Sequence, residues 1–420
     1  MKSLAQLNRD YHELFYTTDE MLFPLLLSMV IGARLNAPSV WLFVIGGTSS
    51  GKSTALSVLY GIEYVTLVSD LTPNTFLSGM KVAGKETSLL KKLGNNFVVI
   101  MKDFTTMISK ADEAKQQIIA QMREIYDGHI SKETGNGTTV SWGSKNDPWK
   151  GMFLMAATEG IYKIQSDFAD MGTRAINYVL PPQDERKSIM RGLTNTQNDA
   201  IAQVKLKELQ ADVAEFVTGM VAIAPTEFAP ISEDMMVDIT NMAMLAERAR
   251  SSIDRDYRGE IQLAQSAGVG IRMAKQLMAL AQFMEYANGG RMTETMRNTV
   301  FKVAADSMPK QRRLAIDMLA RYKRVQHIAL AMEINYPAPV VRKWIEDLNM
   351  FQMVDRQMDG GREFWVLRDE YRQTMIRYLG IKYEDVDLAA DESVTGGVAM
   401  EETWEEANAR LQAMTEFDMV

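Results

Sequence analysis

Apolar residues recur at helical spacing through the first 37 positions, at Leu4, Leu7, Tyr11, Leu14 and Phe15 and then through MLFPLLLSMVIGARL, and predict two helices. From residue 38 to 181 the period changes. Five apolar runs of strand length, VWLFVIGG, EYVTLVS, NFVVIMKD, GMFLMAAT and AINYVLP, alternate with polar or helical stretches. Near-continuous apolar strands separated in this way mean a buried, mainly parallel sheet, hence an α/β domain. Between about 184 and 300 there is almost no strand pattern, and EDMMVDITNMAMLAERARSSI and IRMAKQLMALAQFMEYA carry helical period. After Pro309, QRRLAIDMLARY, VQHIALAME and APVVRKWIEDLNMF predict three short helices. Two strands joined at Asp359-Gly360-Gly361 follow, which is the outline of a winged helix.

The pattern divides the 420 residues into N-terminal helices (1–37), an α/β core (38–183), a helical subdomain (184–305), a winged helix (306–380) and a tail (381–420). Charge sets the tail apart. The chain has a net charge of −8, but residues 381–420 hold eleven acids against only Lys382 and Arg410, and the remainder is close to neutral. Such a segment is expected to be disordered, with TWEEANARLQAM as one amphipathic stretch able to bind a partner. The absence of cysteine excludes disulfides, thiolate metal sites and a thiol nucleophile, and a count of three histidines argues against a multi-histidine centre. The N-terminus has no signal-peptide pattern and the longest apolar stretch is too short to span a bilayer, so no membrane association and a cytoplasmic location are expected.

The first strand runs into Gly46-Gly47-Thr48-Ser49-Ser50-Gly51-Lys52-Ser53, followed by Thr54 and a helical segment, and matches G-x-x-x-x-G-K-[ST] in its required context. A phosphate needs several converging backbone N–H donors, which a glycine-rich turn at a helix start supplies without Cβ clashes. Residues 46–54 are therefore the expected ATP-binding set, with Lys52 reaching the β- and γ-phosphates and the Ser53 hydroxyl available to Mg²⁺. The third strand ends at Asp103, in position to serve Mg²⁺ or the attacking water, beside Lys102 rather than a second acid. The fourth ends at Thr158, a candidate to touch the γ-phosphate, with Glu159 beside it.

Together these motifs resemble an AAA+ P-loop ATPase, in the branch of the minichromosome maintenance helicases and related phage or prophage replication ATPases. The likeness spans about residues 25–370. It implies a parallel five-stranded sheet, a helical lid and a C-terminal winged helix. Matching on Phe104 sets Lys102 where that family has its magnesium Asp and Asp103 where it has its catalytic Glu, so the division of roles at Asp103 stays open. The same resemblance makes Thr158 the sensor 1 residue, Arg174 in MGTRAINYVLP the arginine finger, and Arg272 in GVGIRMAKQLMALAQFM the sensor 2 residue. LTPNTFLSGM and ARSSIDRDYRGEI add to the likeness to phage ATPases.

AQMREIYDGHISKETGNG through WGSKNDPWKG is similar to the family's hairpin before sensor 1, which faces the ring pore. That implies nucleic-acid contacts at Lys132 and Lys145, with His129, Trp142, Trp149 and Lys150 in or beside the segment. In the winged helix, Arg342 and Lys343 on the third helix, and Arg356 and Arg362 on the wing, are further candidates. The implied activity is an Mg²⁺-ATP-driven homohexameric motor, a helicase or translocase acting on single-stranded or forked DNA during phage or mobile-element replication in a bacterial host. Two other readings stay open. One is a protein-remodelling ATPase such as a helicase loader, docking a replication protein through the winged helix or tail. The other is a nucleotide-switched DNA-binding protein, suggested by Lys102.

Overall fold

A computed structural model describes residues 1–78, 81–82, 85–107, 109–133, 137, 139–164, 174–225, 228, 230–256, 258–264 and 267–390. The chain forms two compact units, Met1–Met236 with Arg272–Val303, and Val237–Ile271 with Ala304 onward. The division thus runs through the helical segment after residue 184, giving helix Ile271–Ala287 mainly to the first unit and most of helix Glu233–Arg250 to the second.

The five apolar runs are five strands of one all-parallel sheet: β1 Trp41–Ile45, β2 Val65–Leu67, β3 Phe97–Met101, β4 Gly151–Ala157 and β5 Ala175–Val179. Every residue of β1, β3 and β4 is buried, as a sheet covered on both faces requires. The spatial order is β2-β3-β4-β1-β5. The chain leaves β1 toward β2 at one edge and returns through β3 and β4 to cross β1 and reach β5. Neighbours β1 and β4 therefore send their connections in opposite directions, which opens a crevice at their carboxyl ends.

Helices Leu4–Leu14 and Leu22–Gly32 precede the sheet, and the second is buried along its whole length. Buried Asp19 fixes them to β5. Its Oδ1 accepts from the Met21 and Leu22 N–H groups at the helix start and from the Tyr178 hydroxyl on β5 (2.8 Å). Tyr11 stacks on Phe23 at 4.7 Å and closes the pair.

On the other face, Phe97 and Phe153 pack with Trp41, Phe76, Phe104 and Trp142 in one cluster. Gly151 is required there, because a Cβ would lie 2.3 Å from the Phe97 ring. Gly151→Ala should cost about 1–3 kcal/mol, seen as a lower urea midpoint, since a rigid core ring has nowhere to move.

The second unit holds the expected three helices, Lys310–Arg321, His327–Ile334 and Ala338–Met350, and the hairpin Val354–Asp359/Arg362–Leu367. Asp359 pairs with Arg362 across the two-residue turn Gly360-Gly361, where φ is +55° and +79°. Two positive φ values suit the strand twist and need glycine.

Two expectations are corrected. Residues 384–388, assigned above to a disordered tail, form a strand parallel to Tyr322–Val325, extending the sheet to the order 354–359, 362–367, 322–325, 384–388. Two of its acids meet cations although residues 384–387 are exposed: Asp387 accepts from Arg324, which also bonds Asp359 of the hairpin, and Asp385 lies 3.4 Å from Lys323. Residues 391–420, with TWEEANARLQAM, lie outside the described residues. The helical stretch also contains an antiparallel hairpin, Ile253–Arg255/Ile261–Ala264. Its turn is set by Asp256, whose Oδ1 accepts from the N–H groups of Arg258 and Glu260, and by Gly259 at φ +79°. Among the described residues no helix is long and apolar enough to cross a membrane.

Candidate functional site: the loop after the first strand

Residues 46–54 follow β1 into the crevice beside β4. The Gly46 N–H donates to Ala157 O (3.2 Å), extending the β1–β4 ladder by one residue before the loop turns away. Gly47, Thr48 and Ser49 are exposed, and Ser49 and Gly51 take positive φ (+59° and +87°). Gly51 then caps helix Lys52–Ser57, with Thr54 in its first turn. Gly46 has no room for a side chain, since a Cβ would stand 2.9 Å from Ser50 Oγ and 3.2 Å from Leu180. The loop is thus a tight concave turn whose backbone can be approached closely.

The Lys52 amine folds back over this turn and donates to Gly46 O (2.7 Å), Gly47 O (2.5 Å) and Ser50 Oγ (3.1 Å). Burial pushes its pKa down from the ordinary 10.5, and the nearby Asp103 carboxylate partly opposes that shift. Ser53, the next residue, is exposed.

Asp103 lies two residues beyond β3, and its Oδ1 accepts from the Thr105 N–H (2.8 Å). The β3–β4 register, Met101 opposite Met155, brings it to the carboxyl edge occupied by Thr158. Thr105 joins the two strand ends: its Oγ1 lies 3.3 Å from Thr158 Oγ1 and accepts from the Thr158 N–H (3.1 Å). Lys102 is exposed, with its amine 5.1 Å from the centre of the Tyr60 ring. The phosphate-loop residues, Asp103 and Thr158 therefore share one edge of the sheet. Exposed Ser53 and Asp103 are hard oxygen donors of the kind that suits Mg²⁺.

Arg174 and Arg272 are elsewhere. Arg174 immediately precedes β5, and Trp41 pairs with Ala175, so Arg174 stands level with residue 40 at the amino edge. At ~3.3 Å per residue, that is about 20 Å from Gly46 along the strands. Its Nη2 pairs with Asp127 Oδ2 (2.7 Å), and its carbonyl accepts from Gln276 Nε2 (2.8 Å). Tyr126, edge-on to Trp41 at 5.4 Å, marks the same end. Burial pushes its hydroxyl pKa up to about 12, with Arg272 and Arg174 near enough to oppose the shift. Arg272 itself is exposed.

The expected nucleic-acid residues differ in setting. Lys132 lies in the hairpin Ile130–Glu133/Thr139–Trp142 and donates to Asn74 Oδ1 (2.7 Å), whereas Lys145 is exposed. Trp142 is buried, with Nε1 on Gly94 O and the Trp149 ring 5.9 Å away. Lys150 is tied to Leu35 O and Ala37 O, and burial lowers its pKa. In the second unit, Arg342 is partly exposed and bonds Glu346 (3.1 Å), while Arg356 meets Glu363. Lys343 instead lies against Gly259 of the 253–264 hairpin, its pKa lowered by burial and then by Arg255.

Two contacts at the loop had no signal in the sequence. Gln183 Nε2 donates to Ser50 O (3.0 Å), and Gln210 Nε2 to Ser57 O (2.8 Å) at the far end of the loop helix. Only the threading of residues 181–222 past the loop reveals them.

No protein-family model matches the chain, and no curated protein matches it. Among solved structures, it is similar to one described as the A form apo structure of the NrS-1 C-terminal region, at 11% identity and a TM-score of 0.29. That match covers 88% of this chain and 77% of the other. A likeness so slight says nothing of this chain's chemistry.

Proposed function

We propose that the chain is an Mg²⁺-dependent ATPase of the AAA+ class whose active site is shared between copies, and that it acts on DNA as a helicase or translocase. The observation that carries this reading is the glycine-rich loop 46–53 at the β1–β4 crevice, with Lys52, Asp103 and Thr158 on one sheet edge, Arg174 about 20 Å away at the other, and Arg272 near Tyr126 at that same end.

In this reading the N–H groups of residues 47–52 hold the phosphates, since those of the helix's first turn have no acceptor within the helix. Lys52 releases its three loop acceptors and carries its charge to the β- and γ-phosphates. Ser53 and Asp103 are the groups that would hold Mg²⁺, which supplies neutralisation of phosphate charge. Thr158, oriented by Thr105, positions a water at the strand ends. Arg174 and Arg272 cannot serve their own loop from the amino edge, and act on that of a neighbouring copy. Exposed Lys145, with Lys132 on the adjacent hairpin, supplies cations for a nucleic-acid backbone.

A nucleotide-switched binder with negligible turnover is favoured by one observation, the exposed Lys102 beside a single acid. Phosphate release measured with and without single-stranded DNA separates the readings. Stimulation by DNA, with Asp103→Asn binding ATP but losing turnover, is expected of the motor. Asp103→Asn that hydrolyses at the wild-type rate removes Asp103 from the site, and tight binding without turnover in the unmodified protein supports the switch.

A further inference from the structure

Beyond β5, the Leu180 N–H donates to Ile45 O (2.8 Å), which carries the β1–β5 pairing up to the start of the phosphate loop. Gln183 follows, half-buried. Ser50 O can only accept a hydrogen bond, so the Gln183 amide must turn its nitrogen toward the loop, and Nε2 does so at 3.0 Å. Oε1 then accepts from the Ser188 hydroxyl (3.2 Å). Together the two bonds select one of the two orientations open to an amide. The backbone is held on either side as well. Pro182 O accepts from the Thr18 hydroxyl (3.3 Å), and the Asp184 carboxylate accepts from the Lys187 N–H (3.0 Å) as the cap of helix Glu185–Gln197.

A trans peptide is planar, with its C=O and the following N–H pointing in opposite directions. Holding Ser50 O toward Gln183 therefore aims the Gly51 N–H away from it. Among the described residues no group accepts from that N–H. Packing does not set the direction of this peptide, since a Cβ at Gly51 would meet nothing within 4 Å. We propose that Gln183 is a positioning residue for the phosphate loop: through Ser50 O it holds the Gly51 N–H in the direction from which a polyphosphate is bound. The inference rests on the phosphate-loop reading given above. A glycine-rich loop holds an anion only while its N–H groups converge, and a peptide left free to turn beside a glycine presents its carbonyl to the ligand as readily as its N–H. Gln210 supplies the comparison. Its Nε2 makes the same kind of bond to Ser57 O (2.8 Å), at the end of helix Lys52–Ser57, but there the next N–H, that of Val58, already bonds Leu56 O. Gln210 thus directs no free donor.

Displacement of a fluorescent ATP analogue by magnesium tripolyphosphate, which carries phosphates without base or ribose, isolates the contribution of the loop. Gln183→Ala should weaken tripolyphosphate and ATP by the same factor, about 5–10-fold, the share of one oriented donor. Gln183→Met, which keeps the bulk of the side chain and removes the donor, should match it, with circular dichroism unchanged. In turnover the same factor should appear in KM with kcat unaltered, because the donor serves ground state and transition state alike. Gln183→Glu should bind both ligands more weakly still, since a carboxylate cannot donate to Ser50 O and adds negative charge beside the phosphates. Gln210→Ala should stay within about twofold of the wild type. Unchanged tripolyphosphate affinity in Gln183→Ala and Gln183→Met, a loss for ATP alone, a Glu variant that binds like the wild type, or an equal loss in Gln210→Ala would each overturn the inference. Lys52→Ala separates that failure from failure of the reading beneath it. Affinity for tripolyphosphate lost in Lys52→Ala but kept in Gln183→Ala removes the role of Gln183 alone. A wild type that binds no tripolyphosphate, or Lys52→Ala protein that binds it like the wild type, removes the phosphate loop and the role of Gln183 with it.

Discussion

Lys52→Ala is expected to reduce ATP hydrolysis by about 10²–10³-fold or more and to weaken MgATP binding, because it removes the mobile cation from the phosphate loop. The effect on folding should be small. The three acceptors of the amine, Gly46 O, Gly47 O and Ser50 Oγ, line a loop whose residues 47–49 are exposed, so water can replace it. Lys52→Arg should not restore turnover, since a planar fork cannot fold into the 8%-exposed space the amine fills. Binding should also depend on pH with a defined sign. Burial lowers the amine's pKa in the free protein, and bound phosphates would raise it again, so binding takes up a proton wherever the free amine is neutral. MgATP affinity should therefore hold below the lowered pKa and fall as pH rises through it toward 10.5. A coupled phosphate-release assay with fluorescent-nucleotide titrations reads all of these, and ordinary turnover by Lys52→Ala would end the phosphate-loop assignment.

The sheet and the loop were legible because their signals are local. The uninterrupted apolar runs of β1, β3 and β4 satisfy their burial as interior strands, Gly46 marks backbone with no room for a side chain, and Gly51 marks a positive φ. Gly360-Gly361 between two short alternating runs specifies its turn in the same way. The strand at 384–388 escaped because EDVDL is acidic, and its place in a sheet depends on Arg324 and Lys323, about 60 residues earlier. The 253–264 hairpin escaped because its strands are three and four residues long and the Asp256 turn lies within a helical context. Thr105 beneath Thr158, and Gln183 on the loop backbone, are tertiary pairings between residues 53 and 133 positions apart. No period or spacing encodes them. Helix Glu185–Gln197 is a related case, with Ile189, Met190 and Leu193 exposed: periodicity gives a helix and an apolar side, but the buried side is decided by what the chain packs against it.

The last expectation follows from the distance between Arg174 and the loop. Arg174→Ala should bind MgATP normally and hydrolyse it poorly, because the lost interaction belongs to the transition state and not to the ground state. Asp127→Asn serves as the control, since it also breaks the 2.7 Å ion pair but leaves the guanidinium in place. Lys52→Ala fails for the complementary reason, having an intact Arg174 and a defective loop. When the two inactive variants are mixed, some interfaces join an intact loop on one chain to an intact Arg174 on the next. Random 1:1 assembly makes about a quarter of a ring's head-to-tail interfaces of this kind, so hydrolysis should recover to roughly that share of the wild-type rate if interfaces work independently. Mixing at low concentration before reassembly with ATP allows the chains to exchange, and labelled chains verify that they have. An arginine serving its own loop predicts the opposite result: every chain would still carry one defect, and no mixture could recover. Recovery would thus locate catalysis between chains, whereas its absence after verified exchange would return Arg174 to its ion pair with Asp127 as a structural residue.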